Sequence, residues 1–104
     1  MLCAVLILPG CSLIKKKPDK ERAMLHMQIG TGYLQSGSYP QAMSELLKAE
    51  QMDPENPLIL NNVGLAYFVR GKMKQAEVKF RAAIKYDSNY SDAKNNLARV
   101  LLDQ

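Results

Sequence analysis

This sequence has no tryptophan, a single histidine and two cysteines, and its one long apolar run, "LCAVLIL" at 2–8, is only seven residues. Each scarcity excludes something. A helix needs about 20 apolar residues to cross a bilayer, so this run does not span one. Both cysteines lie within the first eleven residues, so no disulfide staples the remainder of the chain. There is no cluster of metal ligands, no glycine-rich phosphate cradle and no Ser/His/Asp set, so no catalytic, metal or cofactor site is expected and the chain is read as a non-enzyme. His26 sits on an apolar helical face, where a lone histidine packs rather than reacts. Excess charge is also scarce over most of the length. Residues 15–22, "KKKPDKER", hold five basic and two acidic side chains (+3), whereas residues 23–104 hold nine and eight (+1). A nearly neutral body offers no phosphate-binding face, so nucleic acid is not an expected partner, and nothing marks a small-molecule substrate.

What is present begins at the N-terminus. Seven apolar residues bounded by Pro9 and Gly10 suit the centre of a secretory signal, which takes roughly 7–15. "LPGC" resembles the lipobox of bacterial lipoproteins. That resemblance implies a signal peptide over 1–10, Leu8 at −3, Gly10 at −1, and Cys11 as the lipidated first residue of the mature chain. Pro9 departs from the pattern, and no cation precedes the run; a start upstream of Met1 accounts for the second departure. The other reading is an apolar N-terminus with two incidental cysteines. If Cys11 is acylated, each buried methylene adds roughly 0.8 kcal/mol of membrane affinity. Residues 11–22 then form a basic tether. Lys15, Lys16 and Lys17 either meet anionic headgroups, at about 1 kcal/mol each, or belong to a plain solvated linker. Ser12 after the cysteine, by resemblance to Gram-negative lipoproteins, implies the outer membrane facing the periplasm.

Beyond the tether, an offset of 34 residues superposes Gly30 on Gly64, Tyr33 on Tyr67, Gly37 on Gly71, Ala42 on Ala76, Ala49 on Ala83 and Asp53 on Asp87. Such a period marks a repeat array. Within each unit apolar residues recur at helical intervals, as at Leu25, Ile29 and Tyr33, then at Ala42, Leu46, Ala49 and Met52. Each unit is therefore expected to be a helical hairpin. Gly37 and Gly71 suit the left-handed position ending a first helix, Ser38 the cap of the next, and Asn56-Pro57 a cap plus first helical residue. Gly30 and Gly64 fall mid-helix, where glycine costs about 1 kcal/mol, so they are expected at close helix contacts, with Ala42, Ala49, Ala76 and Ala83 opposite.

These residues resemble the tetratricopeptide repeat (TPR) family over most of the chain. The resemblance implies an all-α solenoid of helical hairpins over 23–104: repeat one at 23–56, repeat two at 57–90, and at 91–104 the first helix of a third repeat or a cap. His26 and Leu60 stand where the family usually has tryptophan. In the family the first helices line a concave groove that holds a protein or peptide segment. Carried over, that groove presents Met24, Met27, Thr31 and Leu34, then Asn61, Leu65, Phe68 and Val69, then Asn95 and Arg99. Its apolar part suits an amphipathic helix or extended segment, with Asn61 and Asn95 bonding to the ligand backbone. Chaperone-binding members clamp a terminal carboxylate, but Met27, Thr31, Asp92 and Asn96 replace most of that set and leave Asn62 alone, so no clamp is expected. "IGTGYLQSG" and "NNVGLAY" resemble the opening repeats of type IV pilus pilotins, lipoproteins that bring secretin subunits to the outer membrane. The expected function is a protein-interaction adaptor in pilus or secretin assembly. The alternatives are a cytosolic scaffold or cochaperone and an accessory subunit of an envelope enzyme complex.

Overall fold

The computed structural model describes residues 17–104. Cys11, the signal at 1–10 and the tether through residue 16 lie outside the described residues. Five helices follow one another: α1 Lys20–Gln35, α2 Tyr39–Met52, α3 Pro57–Val69, α4 Met73–Tyr86 and α5 Ser91–Leu102. The described residues contain no strand. None of their helices is long and apolar enough to cross a membrane.

The two hairpin turns are built alike because the same local chemistry recurs. Gly37 and Gly71 adopt φ of 78° and 75°, the left-handed region where a Cβ would be strained. One residue later, the Ser38 N–H reaches the Tyr33 carbonyl at 2.9 Å and the Lys72 N–H reaches Tyr67 at 3.0 Å, satisfying carbonyls that the helix ends leave free. Asn56 caps α3, its Oδ1 accepting from the N–H groups of Leu58 (3.0 Å) and Ile59 (3.3 Å), while its Nδ2 donates to Asp53 at 3.0 Å. Ser38 holds the cap position of α2 but its side chain makes no capping bond; it instead accepts from the Ser36 hydroxyl. α1 starts at Lys20, three residues ahead of the repeat boundary at 23, because Asp19 accepts from the Arg22 N–H at 3.2 Å. The Asp19 N–H in turn donates to the Met52 carbonyl, pinning the start of α1 to the end of α2.

The four repeat alanines are all fully buried. A Cβ built on Gly30 would lie 2.6 Å from Leu46 Cγ, and one on Gly64 only 2.5 Å from Phe80 Cε1. Both mid-helix glycines therefore let the second helix of their hairpin press against the first. Burying Phe80 completely contributes about 1.5–3 kcal/mol. α3, "PLILNNVGLAYFV", carries no charge, and Ile59, Leu60, Asn61, Val63, Gly64 and Ala66 are buried, as fits a helix enclosed on several sides. Its Ile59, Val63 and Ala66 join Ala23, Met27, Leu46 and Ala49 in one core, and Leu60 joins Ala83 and Ala93 in a second. Phe80, Ala76 and Val100 form a third.

The periodic apolar residues of α1 do not serve the core as their counterparts do: Leu25, Ile29 and Tyr33 are 58%, 49% and 38% exposed. Their counterparts in α3, Ile59, Val63 and Tyr67, pack on the first hairpin, whereas no described element precedes α1.

Candidate functional site

α1 touches α3 and α3 touches α5, whereas α2 and α4 do not touch each other. First helices thus stand closer together than second helices, and the stack curves with the first helices on its inner wall. A single side-chain ion pair, Lys79 Nζ to Glu50 Oε2 at 2.5 Å, bridges the second helices on the outside.

On the inner wall the ten expected groove residues divide into two groups. Met24 and Leu34 are half-buried against the first core, and Leu65 and Phe68 against the third. Thr31 is half-buried and donates its hydroxyl to the Gln28 carbonyl at 2.9 Å. Val69, Asn95 and Arg99 are exposed. Met27 and Asn61 belong elsewhere: they are 7% and 5% exposed, inside the stack. The expectation that Asn61 bonds to a ligand backbone is therefore corrected, because its Oδ1 already accepts from Asn96 Nδ2 at 3.0 Å.

That bond belongs to a repeated device that the sequence reading missed. Asn62 Nδ2 reaches Met27 Sδ at 3.4 Å, and Asn96 Nδ2 reaches Asn61 Oδ1, so in both cases a first-helix asparagine ties back to the preceding first helix. The signal was present in the sequence, since the doublet Asn61-Asn62 recurs 34 residues later as Asn95-Asn96. The same crossing encloses Tyr90, whose phenol is pushed up by burial and by nearby Asp92, against the pull of the Asn61 amide.

The accessible wall combines apolar side chains with one placed cation. Arg99 lies with its guanidinium carbon 4.7 Å from the Phe68 ring centroid, within cation–π range, and donates from Nη1 to Asn96 Oδ1 at 3.3 Å. A guanidinium stacked this way keeps donors free and needs little ordering to meet a carboxylate or backbone carbonyl. Two titratable side chains away from the wall are spent on structure. His26 Nδ1 lies 2.6 Å from Glu45 Oε1 across α1 and α2, and this bond holds the Glu45 carboxyl below its ordinary range, with Lys48 assisting and burial opposing. Among the described residues no three His, Cys, Asp or Glu side chains converge on a metal position.

Curved stacking of helical hairpins, with packing glycines and an inner wall of apolar and amide side chains, defines a helical-repeat protein whose chemistry is recognition. Its hairpins are TPR-like: the TPR repeat family model matches residues 30–71. It is 26% identical over 98 residues to a protein O-mannosyl-transferase of Caenorhabditis elegans, covering 94% of this chain and 14% of that protein. It is 31% identical over 91 residues to the type IV pilus assembly protein PilF of Pseudomonas aeruginosa, covering 85% of this chain and 36% of the relative. Among solved structures, the first TPR of Spaghetti bound to the HSP90 peptide SRMEEVD superposes with a TM-score of 0.79 at 26% identity, covering 82% of this chain and 68% of that one. The chain thus spans roughly a tenth to a third of the length of these curated relatives.

Proposed function

We propose that the chain is a non-catalytic adaptor whose inner wall holds an apolar, partly extended protein segment, and that it works in the bacterial envelope in type IV pilus or secretin assembly. The observation that carries the binding mode is the row Leu34, Leu65, Phe68 and Val69 leading to Arg99 stacked on Phe68. Apolar anchors beside a pre-positioned donor are what a bound segment requires for both affinity and register. Support for the envelope setting comes from the lipobox-like "LPGC" at 8–11 and from the likeness to PilF. In this reading residues 1–10 are removed and Cys11 carries the lipid that holds the adaptor on the outer membrane, facing the periplasm.

A cochaperone role, suggested by the Spaghetti complex, fits the wall less well. Of the clamp positions, Met27 is buried, Thr31 and Asp92 supply no cation, and Asn62 has both its contacts inside the chain, to the Leu58 carbonyl and to Met27. The deciding experiment is the intact mass of the protein expressed from its native locus, read together with secretin assembly in cells carrying Phe68→Glu. Lipid mass on Cys11 with 1–10 missing, and loss of secretin multimers at unchanged adaptor level, are expected. An unprocessed soluble chain, or normal multimers in the variant, would overturn the reading.

A further inference from the structure

The near neutrality of the body conceals a strong segregation of charge. Residues 70–85, "RGKMKQAEVKFRAAIK", hold six basic side chains and one acidic one (+5), whereas the remainder of 23–104 holds three basic and seven acidic (−4). The internal repeat shows that the fold does not require these cations. The positions 34 residues earlier, which occupy the same places in the first hairpin, are Ser36, Ser38, Pro40, Glu45, Leu47 and Gln51, none of them basic. Helix stability does not require them either, since Lys72 and Lys74 stand at the N-terminal end of α4, where the helix dipole is already positive and a cation is unfavourable.

Within α4, Lys74, Val78, Arg81 and Lys85 follow at i, i+4, i+7 and i+11 and so form one stripe about 16 Å long. All four are exposed, Val78 by 62%. The stripe points outward between two flanks that are already occupied. On one flank Lys79 pairs with Glu50 of α2; on the other Glu77 accepts from Arg81 at 2.9 Å and from Gln104 at 3.1 Å. The exposure therefore follows from the place of α4 on the outer wall, not from an end of the stack. Arg70, Lys72, Lys74 and Lys85 have no acidic partner within ion-pair range among the described residues.

We propose that this outer stripe rests on the anionic phospholipid headgroups of a bilayer, which turns the inner wall of first helices away from the membrane and leaves it open to a partner. The inference rests on the envelope reading above and is independent of what the inner wall holds. Three features favour a membrane over an acidic protein segment. The stripe is a convex ridge, whereas a bound segment needs a groove or a sheet edge. Its cations stand on long flexible stems around one small apolar side chain, which suits shallow contact with headgroups. The cluster is also of the size that holds proteins at anionic bilayers, where each cation strengthens binding about fivefold.

The test uses the full chain carrying Cys11→Ser, so that no acyl group masks the affinity of the body, and vesicles of phosphatidylcholine and phosphatidylglycerol in about a two-to-one ratio. Because the chain has no tryptophan, Val78→Trp supplies a single reporter on the stripe, and Val69→Trp, at a position 46% exposed, one on the inner wall. The vesicles are expected to blue-shift the emission of the first and leave the second unchanged, with the effect lost at about 0.5 M salt. In co-sedimentation, Lys74→Gln with Lys85→Gln is expected to weaken binding about 25-fold. Lys48→Gln with Lys94→Gln removes the same charge off the stripe and is expected to weaken it less than about threefold. All four lysines are exposed, and unchanged circular dichroism checks the fold of both variants. The inference is overturned if the Val78→Trp reporter stays silent, whether the chain remains free or is held by residues ahead of α1, if pure phosphatidylcholine shifts it equally, or if the two double variants lose affinity alike. A shift with polyglutamate and none with vesicles would overturn it too, assigning the stripe to an acidic protein. An unprocessed, unmodified chain in the native host sinks the envelope reading without altering these vesicle results, so the two failures are separable.

Discussion

Replacing Gly64 by alanine is the sharpest test of how the hairpins hold together. The added Cβ would stand 2.5 Å from Cε1, 2.7 Å from Cδ1 and 3.0 Å from Cζ of Phe80. Phe80 is fully buried with Ala76 and Val100, so its ring has no free volume to move into, and α3 and α4 must separate. Overpacking of this kind costs about 1–3 kcal/mol, while alanine regains up to about 1 kcal/mol of helix propensity. With the clash taken at the middle of that range, about 2 kcal/mol, the net loss is about 1–2 kcal/mol, which in a domain this size lowers Tm by roughly 5–15 °C. Gly32→Ala is the internal control, because its Cβ meets none of the described residues and only the propensity gain remains, raising Tm by a few degrees. Measured by thermal and urea unfolding, the Gly64→Ala penalty should also shrink by about 1 kcal/mol in a Phe80→Leu background, since the two positions are in contact. A Gly64→Ala chain as stable as its parent, or a Gly32→Ala chain losing as much, would refute the claim that contact with the second helix is why glycine stands at 64.

Other expectations follow from single contacts. Asn56→Ala removes the acceptor of two α3 amides and should cost about 1 kcal/mol in urea unfolding, whereas Ser38→Ala, whose hydroxyl makes no capping bond to α2, should cost less. Leu46→Ala empties a fully buried site facing Gly30 and should cost about 2–5 kcal/mol, enough to unfold much of the chain at 37 °C. Glu45 has its carboxyl held below the ordinary value of 4.5 chiefly by His26, so it stabilises the fold above that pH and the contribution is lost as pH falls through the lower folded value. Unfolding free energies measured from neutrality to below pH 4 should therefore fall less steeply for Glu45→Gln than for the parent. Tyr90, shifted upward, acts at the opposite limb: its contribution is complete below pH 10 and lost above, and Tyr90→Phe should soften the alkaline decline.

The features legible in the sequence are those that depend on neighbours along the chain or on the repeat itself. Gly37 and Gly71 announce a left-handed residue, Asn56-Pro57 a cap, and the 34-residue period the pairing of helices, and each takes that form. Burial depends on neighbours in space, and there the letters mislead. Tyr33 and Tyr67 are the same residue at the same repeat position, yet Tyr33 is exposed because no described hairpin stands in front of it. Asn61 and Asn95 likewise read alike, but among the described residues Asn61 accepts from Asn96 on the next first helix and is buried, while Asn95 is exposed. The start of α1 at Lys20 was hidden for a different reason: a basic run reads as a tether, and the capping bond from Asp19 converts its end into a helical turn.

Site-specific photo-cross-linking of the full chain in its native host tests the central claim most directly, with the reactive residue placed at Phe68 on the inner wall or at Val78 on the outer helix α4, which is 62% exposed. The account predicts a discrete protein adduct from position 68, diminished by Arg99→Glu, and no corresponding adduct from position 78. Equal capture from both positions, or capture from 78 alone, would contradict it.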